Sequence, residues 1–367
     1  MDSIPPTSLR SGFELHQSEY EQAALDALRS GTYISGPLLE KFEKEFAEFI
    51  GVEHTVGLNS GLDALVLAIR ASGIGKGDEV IVPANTYIAT VMAITINGAI
   101  PIFCEPDQYF NIDPAKIEEL VTEKTKAVLV VHLYGQACQM EPIVQLCKQY
   151  QLFLLEDCAQ SHGAKFAGTV TGTFGEIGCF SFYPTKNLGA FGDAGAITTD
   201  NFVLADHIRT LGNYGSHKKY YNEVVGTNSR LDEIQAALLS VKLQHLGELT
   251  QERQRLASLY NSGITNPLIA KPQVAPKSDH IYHQYVIQCS SREHLQQYLR
   301  NLGIGTLIHY PIPPHLSEAY AFLGYQRGDF PITEQQADQV LSLPLYNGMT
   351  EPQVERVIEV LNRYQGE

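Results

Sequence analysis

No apolar run in this chain approaches the length of a membrane-crossing helix, so a helical membrane span is not expected. The start, Met1 to Arg10, is polar and proline-containing. It lacks a basic stretch leading into an apolar one, so a secretory signal is not expected and a cytoplasmic location is. None of the six cysteines (Cys104, Cys138, Cys147, Cys158, Cys179 and Cys289) forms a C-x-x-C pair, and most lie in apolar surroundings. Reduced, buried thiols are expected rather than disulfides or a metal site. Positive charge is also short: 26 Lys and Arg against 41 Asp and Glu give a net charge of -15. That argues against nucleic acid and against an anionic membrane surface as partners. A small anionic substrate stays open, because local basic groups and helix N-termini bind phosphate on acidic proteins. There is no long low-complexity tract and no internal repeat.

What is present is a chain of 367 residues with 44% hydrophobic content, enough for one large domain and a smaller one. Helical and strand-like segments alternate over the first two-thirds. The patterns predict helices over Leu38 to Ile50, Gly61 to Ile69, Thr86 to Ile96 and Pro142 to Tyr150, and one from Pro114 to Val121 capped by Asp113. Strands are predicted at Glu79 to Pro83, Ile100 to Cys104, Ala127 to Val131 and Phe153 to Leu155. This alternation predicts an α/β fold with a mostly parallel sheet and helices on both faces. Ligands of such folds gather at the C-terminal ends of the strands. A long helical pattern from Asp232 towards Tyr260 is expected to cross into a second unit. That unit is expected to be a compact α+β domain, with strands at Tyr285 to Ile287 and Thr306 to Ile308. Its helices are Arg292 to Leu302, Glu334 to Val340 and Pro352 to Arg363. The expected division is a large domain over 1–250, N-terminal segment included, and a small one over 251–367.

One stretch concentrates the chemistry. Cys179-Phe180-Ser181-Phe182-Tyr183-Pro184-Thr185-Lys186 is an aromatic, strand-like run ending in a lysine, and a glycine-rich segment follows. Upstream, an apolar strand ends in Glu156-Asp157, with Gln160 three positions on. A Schiff-base lysine, an acid at a strand's end and a hydroxyl near the lysine are the parts of a pyridoxal phosphate site. Each residue has a plainer alternative. Lys186 is either that lysine, its pKa lowered by desolvation, or a surface lysine in a turn. Asp157 either keeps a pyridine nitrogen protonated or caps the next turn. Glu156 points to the opposite face of an extended strand, so only one of the two acids faces the site. Gln160 either meets a ring hydroxyl or is a solvated loop residue. Ser60-Gly61 opens a helix whose first N–H groups suit a phosphate, with Ser181 adding a hydroxyl, or Ser60 is an ordinary N-cap. Tyr87 either stacks on the ring or belongs to the core.

The chain resembles the DegT/DnrJ/StrS family of sugar aminotransferases from about Tyr33-Ile34-Ser35-Gly36-Pro37 to its final helix. The matching stretches are Asn59 to Leu65, Pro83 to Tyr87, Val131 to Gly135, Glu156 to Ala164, Ser181 to Gly189 and Gly226 to Asp232. The resemblance implies an aspartate-aminotransferase-like large domain of fold type I and pyridoxal phosphate as cofactor. It implies that Lys186 holds the cofactor as a Schiff base, that Asp157 pairs with the ring nitrogen, that Gln160 contacts the ring hydroxyl and that Tyr87 stacks. Ser181 and the backbone at Ser60 and Gly61 are then the phosphate site. Asn228 is expected to reach the phosphate of a neighbouring subunit, so the resemblance implies a homodimer with shared active sites. A family branch that carries histidine in place of the lysine performs dehydration, and Lys186 places this chain outside it.

Ser229 to Leu246 and His309-Tyr310-Pro311-Ile312-Pro313-Pro314-His315 look most like enzymes that aminate C3 of a dTDP-3-keto-6-deoxyhexose. His309 and Tyr310 are then expected to line the sugar pocket, unless the loop is merely proline-rich with incidental aromatics. Arg230, Lys165, Lys218 and Lys219 are candidates for the diphosphate or the carboxylate of L-glutamate, the expected amino donor. Relatives that act at C4 or on UDP-linked 3-keto sugars are the alternatives within enzymes. A non-catalytic binding or regulatory protein is the alternative outside them.

Overall fold

The computed structural model describes residues 3–366. Its strands in chain order are β1 (His54–Leu58), β2 (Glu79–Pro83), β3 (Ile100–Cys104), β4 (Thr125–Val131), β5 (Phe153–Asp157), β6 (Lys165–Phe166), β7 (Thr169–Val170), β8 (Ile177–Ser181), β9 (Gly195–Thr199), β10 (Tyr285–Gln288) and β11 (Val340–Leu343). Seven of them form one sheet in the order β1-β9-β8-β5-β4-β2-β3. All neighbours pair in parallel except those of β9, which runs against both β8 and β1.

The sequence of the central strands explains this arrangement. Apolar, largely β-branched runs such as Ala127–Val131 can be covered on both faces, as a parallel sheet requires. Alternate residues go to opposite cores. Val80, Val82, Ala127 and Leu129 pack with Leu65, Ile69 and Ile94 from the helices Gly61–Ala71 and Ile88–Ile96. Ile81, Val128, Val130 and Leu154 pack on the other face with Met140, Ile143 and Cys147 of the helix Met140–Tyr150. All six cysteines are free and buried.

The helix Glu233–Gly263 passes between two cores. Ala236, Leu239 and Leu246 join Phe42, Phe46 and Phe180 on the sheet side. Leu256, Ala257 and Tyr260 join the C-terminal core, built on the antiparallel pair β10–β11 and the helices Arg292–Asn301 and Glu351–Arg363. Part of the N-terminal segment departs from expectation. Ile4 packs in this C-terminal core and bridges to Ile304, so the start of the chain belongs physically with its end.

Other differences have local causes. The helix expected from Thr86 begins at Ile88, because Tyr87 keeps an extended backbone as its N-cap. The helix after Asp113 spans Pro114–Ile117 and tightens into a 3-10 turn over Glu118–Leu120. Thr306 to Ile308 makes only the single Leu307–Ser342 bridge. Val340 does not end a helix but starts β11, since a short apolar run carries no periodicity to separate the two. The strand β9, following the glycine-rich segment, was not expected.

One side chain ties the long helix to the sheet side. The Glu233 carboxylate, 1% exposed, accepts the N–H groups of Gly36 (2.8 Å), Leu38 (3.0 Å) and Leu39 (3.0 Å). It thereby satisfies the open first turn of the helix Pro37–Ile50. Glu233→Ala is expected to cost about 2–4 kcal/mol of unfolding free energy, since it strands buried donors. Denaturant titration measures this, and a loss under about 1 kcal/mol would show that water replaces the carboxylate without penalty.

Candidate active site

Asp157 ends β5 at the carboxyl edge of the sheet and is 5% exposed. Its Oδ1 accepts the Ala159 N–H at 3.1 Å, and its Oδ2 accepts the Thr90 hydroxyl at 2.8 Å. The carboxylate only accepts, so Thr90 must donate to it and receive the proton of Thr86, 2.8 Å behind. Burial raises the Asp157 pKa, and the Ala159 N–H, Thr90 and the charge of Lys186 pull it partly back. Glu156, one residue earlier, faces the other way as the strand period demands. Its carboxylate accepts from Gly172, Phe174 and Gly175 N–H and meets His132 Nε2 at 2.9 Å. Since His132 Nδ1 accepts the Cys138 N–H, Nε2 carries the proton, and the pair is a buried anchor for the loop after β7.

Lys186 lies five residues beyond β8 in a turn closed by its own N–H to the Tyr183 carbonyl at 2.8 Å. It is half-buried, yet the surrounding protein lowers its pKa to about 8, with Asp157 opposing that shift. The neighbouring imidazoles are pushed towards the neutral form by burial first and by Lys186 second. His309 falls to about 4 and His162 to about 3, and His283 lies well below its ordinary value.

Ser60, Gly61 and Ser181 converge from two elements. Ser60 is the N-cap of Gly61–Ala71, and its Oγ accepts the Asp63 N–H at 3.1 Å. The helix start abuts the end of β8 so closely that a Cβ on Gly61 would lie 2.4 Å from Ser181 Cβ. Only glycine permits that approach. The ordinary capping role of Ser60 and a helix start open beside a serine hydroxyl therefore coexist.

Gln160 is buried rather than solvated. Its Oε1 accepts the Tyr134 N–H at 2.7 Å, and its Nε2 donates to the Tyr310 hydroxyl at 3.1 Å. Tyr87 is no core residue: it is 51% exposed, and its ring stands 5.1 Å from that of Tyr310, tilted by 37°. His309 is held by Ser342 Oγ at 2.7 Å and by the Tyr134 hydroxyl, which donates to its carbonyl. The second unit thus delivers His309 and Tyr310 to Tyr87 and Gln160 on the sheet side.

Asn228 and Arg230 stand apart. Asn228 is exposed and bridges to Asn213, and Arg230 donates to Asn213 Oδ1 at 3.0 Å with its guanidinium over the Tyr214 ring. Among the described residues no hydrogen bond or ring contact joins either of them to Lys186, Asp157 or Gln160 of the same chain. Lys218 and Lys219 lie over the rings of Tyr221 and Tyr220, both exposed. Sequence reasoning missed Thr86, Thr90 and Tyr134. Thr90 stands one helical turn beyond Tyr87, and nothing local marks a threonine that will face a strand end 67 residues later.

The depressed Lys186 pKa fixes a pH dependence. Between about 8 and the ordinary lysine value of 10.5 the unfolded chain binds more protons at this lysine than the folded chain. The Lys186 contribution to stability is therefore fully present above 10.5 and is lost as pH falls through 8. In the cofactor-free protein Lys186→Met is expected to be more stable than the parent at pH 7. The gap should narrow as pH rises across that window in denaturant titrations. A constant gap would mean that the lysine is not desolvated.

Known proteins resemble this chain over nearly its whole length. Residues 15–362 match the DegT/DnrJ/EryC1/StrS aminotransferase family. The chain is 51% identical over 362 residues to the dTDP-3-amino-3,6-dideoxy-alpha-D-galactopyranose transaminase of Aneurinibacillus thermoaerophilus, covering 98% of this chain and 99% of that one. S. venezuelae DesV, solved in complex with a ketimine intermediate, superposes with a TM-score of 0.97 at 44% identity, covering 99% of this chain and 98% of that one. NtdA from Bacillus subtilis, solved with bound cofactor PMP, gives a TM-score of 0.87 at 32% identity, with 94% and 80% covered. The match runs over nearly the whole length, and the chain belongs to the DegT/DnrJ/EryC1/StrS aminotransferase family.

Proposed function

We propose that this protein transfers an amino group from L-glutamate to C3 of a dTDP-3-keto-6-deoxyhexose, with pyridoxal phosphate as cofactor, giving a dTDP-3-amino-3,6-dideoxyhexose. The observation that carries the reading is the buried Asp157 and the desolvated Lys186 acting on each other's charge at one end of the sheet. The name of the 51% identical relative supports the sugar.

The residues present fit the cofactor. The helix start at Gly61, with Ser181 against it, offers N–H groups and a hydroxyl to a phosphate. Asp157 is a buried carboxylate short of a counter-charge, which a protonated ring nitrogen supplies. Gln160 is fixed by Tyr134 and Tyr310 where an amide is needed for a ring hydroxyl, and the exposed Tyr87 face is free to stack. When bound, pyridoxal phosphate supplies an aldehyde carbon that exchanges amines and a ring that accepts electrons.

The chain's own groups do the rest. Asp157 holds the proton on the ring nitrogen, and the Thr86–Thr90 relay keeps that carboxylate oriented. Lys186 Nζ anchors the cofactor at rest. As a free amine it would take the proton from the donor's α-carbon and donate it to the cofactor's former aldehyde carbon, so one nitrogen would serve as base and acid. With a pKa of about 8, roughly one lysine in ten is neutral at pH 7, against far fewer for an exposed lysine. The neutral His309 and the Tyr310 hydroxyl border the sugar side without adding charge beside Lys186.

Asn228 and Arg230 serve a second copy of the chain in this reading. They project from a segment whose Tyr214, Tyr220, Tyr221 and Val225 are exposed, an apolar surface suited to a homodimer that shares its sites. Functional division near residue 250, within the long helix, agrees with the two cores that the helix joins.

The holoprotein is expected to be yellow, to bleach with L-glutamate and to aminate dTDP-linked 3-keto sugars in preference to 4-keto or UDP-linked ones. Lys186→Ala should lower turnover by at least about a thousandfold while still binding the cofactor. A holoprotein that glutamate does not bleach, or a variant with full turnover, would overturn the assignment.

A further inference from the structure

Beside the Lys186 loop lies a cavity of about 230 Å³ that the reaction as described leaves unused. Its walls include Thr7 and Ser8 of the N-terminal segment, Lys186, Lys242 and Arg253 of the long helix, and Asn347 of the C-terminal unit. Among the described residues, Tyr87, His309 and Tyr310 do not line it, and neither does any Asp or Glu.

The cations in this wall are poorly matched by the protein. Lys242 Nζ has one hydrogen-bond partner among the described residues, the Gly189 carbonyl at 3.2 Å, and an ammonium has three donors. Arg253, 7% exposed, meets only neutral acceptors: Asn347 Oδ1 at 3.0 Å and the carbonyls of Tyr282, His283 and Leu345 at 3.3–3.4 Å. The adjacent Glu252 spends its carboxylate on Asn347 Nδ2 and the Gly348 N–H. Its charge favours the charged form of Arg253, yet burial outweighs that effect. Lys242 is likewise lowered to about 8 by burial and by the like charge of Arg253. Arg253 is buried and Lys242 half-buried, and cations of one sign so placed are unfavourable unless an anion joins them.

From this cavity we infer a dicarboxylate subsite, in which Lys242 and Arg253 hold the carboxylates of the amino donor next to Lys186, apart from the surface that meets the nucleotide sugar. The inference rests on the transaminase reading above and adds the donor's location to it. The volume is below the roughly 300–1,000 Å³ of pockets for larger ligands, so a nucleotide sugar is excluded and a five-carbon dicarboxylate is admitted. Lys242 and Arg253 leave the helix Glu233–Gly263 about three turns apart, which suits two carboxylates better than one compact anion such as phosphate.

The test uses the holoenzyme and follows bleaching at increasing L-glutamate. Lys242→Gln should raise the half-saturating glutamate concentration about tenfold to a hundredfold, as loss of a charge-assisted contact implies. The limiting rate should change by less than about threefold, a split that a general folding defect does not produce. Lys242→Arg should recover most of the affinity. Glutarate, a dicarboxylate with no amine, should compete with glutamate in the parent and bind at least about tenfold more weakly to Lys242→Gln by calorimetry, whereas inorganic phosphate should not compete. Unchanged half-saturation, or unchanged glutarate affinity, in a Lys242→Gln protein that keeps its colour and melting temperature would overturn the subsite. If glutamate fails to bleach the parent, the transaminase reading itself fails, and the glutarate titration still decides whether the cavity takes a dicarboxylate.

Discussion

Removing Asp157 from water at the end of β5 is the constraint on which the site depends. An isolated carboxylate in that position is unfavourable, and the Ala159 N–H and Thr90 hydroxyl compensate it only in part. The remaining demand is for a positive charge, which Lys186 meets weakly in the free protein and a protonated ring nitrogen meets in the proposed holoenzyme. The same burial lowers Lys186 towards neutrality. One low-polarity setting therefore moves both the acid and the amine towards their neutral forms. Burial outweighs the attraction between the two groups, since each pKa moves in the direction desolvation dictates.

The sheet order makes that pocket. Strands β4, β5 and β8 run parallel, so their carboxyl ends and the loops beyond them lie side by side. Reversing β9 brings Gly195 against Ser60, and Gly61 against Ser181 sets the helix start within reach of the same edge. The close approach at Gly61 is a packing requirement first, and the open N–H groups are its by-product. Glu156 shows the same economy on the opposite face, where four donors satisfy its oxygens and secure the loop.

The C-terminal unit closes the arrangement from the other side. Tyr310 links Gln160 and Tyr87, and His309 is fixed between Ser342 and Tyr134, so neither unit completes this surface alone. The long helix ties the two together. Its first turn caps another helix through Glu233, and its far end carries Tyr260 into the second core. The packing of Ile4 with that core makes the N-terminal segment a third tie, and the cavity with Lys242 and Arg253 lies where that segment, the helix and the Lys186 loop meet.

By itself the sequence determined what local chemistry can express. Strand Glu79–Pro83 and strand Ile100–Cys104 carry their bounds in apolar runs, Asp113 and Ser60 are caps by type, and two-residue periodicity sends Asp157 and Glu156 to opposite faces. Lys186 and Asp157 were readable as candidates because a lysine after an aromatic run and an acid at a strand's end are the residue types such a site uses. Tertiary structure alone decided the rest. A threonine becomes the partner of Asp157 only when a helix is laid across the sheet, and Gln160 leaves solvent only when Tyr310 covers it. Tyr87 stays exposed because its neighbours leave it no core to enter, and β11 is a strand only because β10 offers it a ladder. The physical reason is range: periodicity and capping act over a few residues, whereas burial and the partners of a buried charge depend on groups that the fold brings from far along the chain.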